Sequence, residues 1–347
     1  MLVLSGCAAA PDEDADSGDQ ALDFVPCIVS DFGGFDDQSF NQSSYEGITA
    51  AADELGVEFN EAESQSEDQY EGNVTGMVDQ GCDFIVTVGF ALANATRDAA
   101  QANEDVNFAL IDSALSNDDF SPLELDNVKP VLYDTAQAAF LAGYLAAGSS
   151  ESGVVGTFGG QPFPSVTIFM DGFVDGVAYY NDQKGTDVTV LGWDKEAQDG
   201  LFTGGFEANQ TAKTMAEGLL DQGADVLLPV GGPIFISAGE AIRDRGDSAA
   251  LIGVDSDLFL TAPDFSDLYL TSILKQMTDA IQEITVSAGN GEFDATPYVG
   301  TLENGGTDIA PLHDFESKVD PALLAEVNEI RDLIISGELV VESPSSP

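Results

Sequence analysis

Short apolar runs recur along the chain at 25–30, 84–88, 108–111, 153–158, 188–191, 226–230 and 251–254. They are rich in β-branched residues and apolar at successive positions, the pattern of strands buried on both faces of a parallel sheet. Between them lie stretches with helical period. Tyr45, Ile48, Ala52 and Leu55 mark one face, Val74, Met77 and Val78 another, and the segments 135–148, 169–180 and 208–222 follow the same rule. Such strand–helix alternation predicts right-handed crossovers and parallel sheets covered on both sides by helices.

Seven or more units are too many for one small doubly wound sheet, and 347 residues can bury two cores. The pattern therefore predicts an α/β chain of two doubly wound parallel-sheet lobes joined by a three-segment hinge. Crossings near 132–134, near Lys275 and before Tyr298 would divide it into an N-terminal lobe (24–133 plus 276–290) and a C-terminal lobe (134–275 plus 291–340). Met277, Ile281, Ile284 and Ala288 would seat the helix after Lys275 on the first lobe. Asp320 as N-cap and Pro321 in the first turn open a terminal helix with Leu324, Val327 and Ile334 on one side. The tail 341–347 is expected to fray.

Charge narrows the partners. There are 62 acidic residues against 10 basic ones, a formal −52, which repels nucleic acid and anionic headgroups alike. The plainer consequence of so many carboxylates is solubility in salty surroundings. No apolar run reaches the roughly eighteen residues that span a bilayer. Membrane attachment would instead go through Leu4-Ser5-Gly6-Cys7, which has the form of a lipobox with Cys7 as the lipidated residue. The apolar stretch before it is short and lacks a basic start, as expected of a late-assigned start codon or a trimmed signal. Residues 1–23 then form a signal remnant and a small, acidic tether. DEDADSGD within it matches a calcium loop only loosely. Cys27 and Cys82 each begin a predicted strand, so they are either a disulfide across neighbouring strands or two buried thiols.

The usual actors of enzyme chemistry are missing. His313 is the lone histidine, and the sequence has no GxSxG, CxxC or GxxxxGK[ST]. Gly159-Gly160 and Gly231-Gly232 follow strands without extending to GxGxxG. No cofactor or metal is expected. The informative stretch is Asp31–Gly47, DFGGFDDQSFNQSSYEG, where two glycines bend the chain and carboxylates, an amide and a phenyl ring emerge between strand and helix. That edge of an open α/β sheet is where ligands bind.

Asp37, Ser39, Phe40, Asn41, Glu46 and Gly47 resemble the opening motif of the basic membrane protein family, lipoproteins that serve as substrate-binding components of ABC importers. Gln38 stands where the family pattern has Lys. Further matches follow in order at 88–90, 110–112, 204–206, 231–232, 253–257 and 272–275, so the likeness covers about residues 25–310. It implies the type I periplasmic-binding-protein fold that the lobe pattern also suggests. It implies a monomeric, extracytoplasmic binding protein that passes a nucleoside, most often a purine nucleoside, to an ABC permease with its ATPase. Carried over by motif, Phe40 and Phe206 would sandwich the base, and Asp37 and Asn41 would take its edge. Asp112, Asp255 and Lys275 would hold the ribose, and Gly231 and Gly232 would let the backbone come close. Two other readings compete. One is a ligand sensor of the same fold for another polar ring compound. The other is a calcium-dependent nucleoside hydrolase, for which Asp36-Asp37 supply one carboxylate pair while Ser30 and Phe32 occupy the other two ligand positions.

Overall fold

The fold is given by a computed structural model that describes residues 22–246 and 248–347. The expected anchor Cys7 and all but the end of the expected tether lie outside the described residues.

The chain begins with β1 (Pro26–Phe32), α1 (Phe40–Leu55), β2 (Asn60–Ser64), α2 (Tyr70–Asp79), β3 (Phe84–Val88), α3 (Ala93–Ala102), β4 (Asn107–Ile111) and β5 (Val128–Tyr133). It then crosses into α4 (Thr135–Ser149), β6 (Val154–Gly159), α5 (Pro164–Lys184), β7 (Thr189–Leu191) and a small hairpin of β8 (Trp193–Asp194) and β9 (Asp199–Gly200). That second lobe continues through α6 (Gln210–Asp221), β10 (Val226–Val230), α7 (Ile234–Arg245), β11 (Ala250–Asp255), α8 (Leu258–Thr261) and β12 (Tyr269–Lys275). α9 (Met277–Gly289) and β13 (Tyr298–Gly300) return to the first lobe, and β14 (Thr307–Ile309) and α10 (Pro321–Ile335) finish on the second.

The first sheet runs β13-β5-β4-β3-β1-β2, parallel throughout. The second runs β14-β12-β11-β10-β6-β7, with β14 alone antiparallel. The strands read as apolar runs because both faces are covered. Ile28, Val86 and Ile111 pack under α1 and α9, while Val29, Ile85 and Leu110 pack under α2 and α3. Glycines let α4 and α5 touch backbone to backbone, since a Cβ at Gly143, Gly172 or Gly176 would lie 2.0–2.3 Å from a carbonyl oxygen of the facing helix.

Two expectations are corrected. The last crossing follows Gly300 rather than preceding Tyr298, because β13 pairs with β5 and Tyr298 packs edge-on against Tyr133 at 5.9 Å. Residues 291–300 therefore belong with the first lobe. The tail is docked instead of frayed, because its side chains find partners. Val341 is buried, Ser343 donates to the Asp171 carboxylate at 2.6 Å, and Ser346 donates to Asp134 at 3.0 Å. The polar edge strand β2, NEAES, carries no apolar run and went unpredicted. In the terminal helix Asp320 accepts from the Ala322 amide, and Leu323, Ile330 and Ile334 join Val327 in the buried stripe.

Candidate functional site

Each sheet reverses its strand order at one point, between β1 and β3 in the first lobe and between β6 and β10 in the second. Crevices at the carboxyl ends of strands form at such points, and here the two face one another. Between them lies a cavity of about 550 Å³ with its open mouth counted. All nine residues expected to hold ligand line it: Asp37, Phe40, Asn41, Asp112, Phe206, Gly231, Gly232, Asp255 and Lys275.

An ion cluster borders the cavity. Asp112 follows β4 and Asp255 ends β11, and both adopt left-handed backbone (φ 60° and 69°), which turns each carboxylate out of its strand. Between them the Lys275 ammonium, only 3% exposed, pairs with Asp112 and lies 3.3 Å from Asp255. Its Nζ also sits 5.3 Å from the Phe40 ring centre and 4.9 Å from that of Phe169. Burial pushes the Lys275 pKa down, but the two carboxylates outweigh it and the net direction is up. Burial pushes Asp112 up, with Lys275 pulling it back. These directions oppose one another within a single pair. One ammonium held by two acceptors and two ring faces stays charged, and the cluster keeps its excess of acceptor oxygens for hydroxyl groups.

An amide network borders it as well. The Asp37 carboxylate accepts from the backbone amides of Ser39 (3.0 Å), Asn41 (2.9 Å) and Gln42 (3.0 Å), so it closes the first turn of α1. Asn41 Nδ2 donates to Asp31 at 2.9 Å and to Asp37 at 3.3 Å. Both amide hydrogens are thereby engaged. A reversed amide would set its oxygen against the Asp37 carboxylate, and in the observed orientation Asn41 Oδ1 is buried without a partner. An orphan acceptor of this kind costs about 1–3 kcal/mol until a donor arrives. Asp31, which the sequence reading passed over, also lines the cavity. Burial is the first cause, and the Asn41 amide opposes it, in raising its carboxyl to about 8, with Asp37, Asp112 and Asp255 adding to the rise. The only hint in the sequence was that Asp31 opens the segment from which Asp37 was chosen.

Aromatic rings complete the lining. Phe40 from the first lobe and Phe206 from the second border the same gap. The Phe206 ring lies on the backbone of Gly160 and Gly231, where added Cβ atoms would come within 2.3 and 2.5 Å of it. The glycine pair thus seats this ring, with Gly231 at φ 128°. Phe163, Phe90 and Phe169, unremarked in the sequence, line the cavity too. Phe163 packs at 5.9 Å from Phe206 and, across the lobes, at 4.9 Å from Phe90. The lobes also meet where Ser256 and Thr261 donate to the Gln38 carbonyl at 3.1 and 2.8 Å.

Other candidates fall elsewhere. His313 pairs with Asp257 at 2.7 Å, stacks on Phe259 and does not border the cavity. Asp36 is exposed while Asp37 is buried, which splits the pair a calcium-dependent hydrolase would use. Among the described residues no group of three or more His, Cys, Asp or Glu is placed to hold a metal, and no helix is long and apolar enough to cross a membrane. Cys27 in β1 and Cys82, two residues before the adjacent β3, are joined by a disulfide with Cα atoms 6.0 Å apart.

Known proteins resemble this chain in sequence and in fold. The ABC transporter nucleoside-binding protein BmpA of Lactococcus lactis is 27% identical over 99% of this chain and 95% of its own. Basic membrane protein A of Borreliella burgdorferi is 29% identical over 90% of this chain and 86% of its own. A solved ABC transporter solute-binding protein from Aeropyrum pernix K1 superposes with a TM-score of 0.80 at 25% identity, covering 92% of this chain and 94% of that one. Residues 24–330 match the Bmp family, described as ABC transporter substrate-binding protein PnrA-like, and the chain belongs to that family.

Proposed function

We propose that the chain binds a nucleoside, with a purine base, between its lobes and presents it to an ABC permease on the extracytoplasmic face of a membrane. The observation that carries this reading is the convergence of three kinds of chemistry on one cavity. Acceptor oxygens around one ammonium, rings from both lobes, and an unpartnered carbonyl acceptor beside a carboxyl all border it. Asp112, Asp255 and Lys275 take ribose hydroxyls. Phe40 and Phe206 stack on the base. Asn41 Oδ1 accepts a ring-edge N–H, and Asp31 supplies the group beside it. Asp37 contributes through α1 and Asn41, since its own oxygens are occupied.

Lys275 is the single cation among the lining residues and is already shared by two carboxylates. A phosphate would find no free positive partner there, so nucleosides are favoured over nucleotides. The name of the Lactococcus relative supports the same ligand class. Cys7 as lipid anchor and the Cys27–Cys82 disulfide fit an oxidising, extracytoplasmic site. The test is a thermal-shift and calorimetry panel of nucleosides, free bases, nucleotides and sugars. A ligand at a hundred times its Kd adds about 2.7 kcal/mol to stability. Nucleosides should give that response and their monophosphates should not. Silence from every nucleoside would overturn the reading.

A further inference from the structure

A second chamber, about 690 Å³ with its open mouth counted, adjoins the cavity. The two volumes share Asp31, Phe32, Phe163 and Phe206 as a common wall. Beyond that wall the chamber is bordered by Gln65, Ser66, Glu67 and Tyr70 from the first lobe and by Gln161 and Glu207 from the second. None of Asp112, Asp255 and Lys275 borders it. The chamber therefore adjoins the cavity at Asp31 and the rings rather than at the ion cluster.

We propose that this chamber receives a substituent on the distal edge of the bound base, so that the cleft accepts purine nucleosides carrying an amine-ended arm at C6 or C2. The inference rests on the nucleoside reading above. In a purine nucleoside the C2–N1–C6 edge lies opposite the glycosidic nitrogen. With ribose at Asp112, Asp255 and Lys275, that edge meets Asp31 and the common wall. An arm leaving it passes the faces of Phe163 and Phe206, which suit methylene groups, before it reaches polar side chains. Gln65, Glu67 and Glu207 are exposed, so the end of the arm stays in water. An ammonium there meets the carboxylates of Glu67 and Glu207, and in a chain of net charge −52 it gains from the surrounding field as well. Substitution on the exocyclic nitrogen leaves one N–H for Asn41 Oδ1, so the edge contact survives.

Calorimetry on the full chain tests this with two pairs: adenosine against N6-(6-aminohexyl)adenosine, and guanosine against its N2-(6-aminohexyl) derivative. In the pair whose parent binds, the substituted compound should bind within threefold of the parent or tighter. Ser66→Trp and Gln161→Trp fill the chamber from opposite lobes without touching the cavity. Each should weaken the substituted compound at least tenfold and leave the parent within twofold. A parent that binds while its derivative is at least a hundredfold weaker overturns the chamber proposal and leaves the nucleoside reading standing. So does an unchanged derivative in both Trp variants. If neither parent nor any other nucleoside binds, both proposals fall together.

Discussion

Replacing Lys275 by Met leaves an unbranched side chain one atom shorter and removes its charge. Asp112 and Asp255 are then two buried carboxylates, 7% and 6% exposed at the side chain, with no cation between them. Removing one partner of a buried ion pair typically costs about 3–5 kcal/mol. At about 2.1 cal/mol/K per residue, 347 residues unfold with an entropy of about 0.7 kcal/mol/K. The loss then corresponds to a drop in Tm of about 4–7 °C.

The sign of the pH dependence follows from the same geometry. Burial already raises Asp112 against the pull of Lys275. Without that pull, Asp112 gains more from protonation, so the penalty of Lys275→Met should shrink toward acid and grow toward neutral pH. Asp112→Asn in the Lys275→Met background removes one of the stranded charges and should restore part of the loss. Differential scanning calorimetry at pH 5 and pH 7.5 reads all three variants. A Lys275→Met protein within 1 °C of the parent at pH 7.5, or one equally destabilised at both pH values, would refute the view of Lys275 as a charged tie between two buried acids.

Phe206→Ala should weaken nucleoside binding at least tenfold, about 1.4 kcal/mol, because the base loses one of its two ring faces; calorimetric affinity checks it. Asp31 has a folded pKa raised from 3.8 to about 8, so the folded protein retains a proton that the unfolded chain releases. Its contribution is full below about pH 4 and is lost as pH rises to about 8; Asp31→Asn should flatten that part of a plot of Tm against pH, and identical slopes in the two proteins would count against it. The Cys27–Cys82 bridge closes a loop of 55 residues, for which chain entropy gives about 4 kcal/mol. Cys27→Ala with Cys82→Ala should lower the urea midpoint accordingly, with little change in ligand affinity, since neither sulfur borders the cavity.

Much of this was legible because buried parallel strands announce themselves. Runs such as Phe84–Val88 and Val226–Val230 were placed to the residue, since two covered faces leave no room for polar positions. Elements stabilised by partners far along the chain were not. β2 is polar because it is an edge, and β13 is three residues whose only credential is the neighbouring β5. The serines of the tail read as disorder until Asp171 and Asp134, more than 170 residues away, supplied acceptors.

At the site, composition and order identified which residues converge, but hydrogen bonding decided what each is free to do. Asp31 and Asp37 are equivalent in a sequence: both are carboxylates beside the same glycine bend. Only the winding of α1 separates them, because three backbone amides of its first turn close on Asp37 and none on Asp31. The carboxylate that caps the helix cannot also serve the ligand, and the one left over is held by a single amide hydrogen at the cavity wall. Asn41 follows the same logic: a side chain able to donate and accept becomes an acceptor alone once two carboxylates claim its hydrogens. The chemistry offered to a ligand is therefore the remainder after the fold has satisfied its own polar groups, and no local motif contains that subtraction.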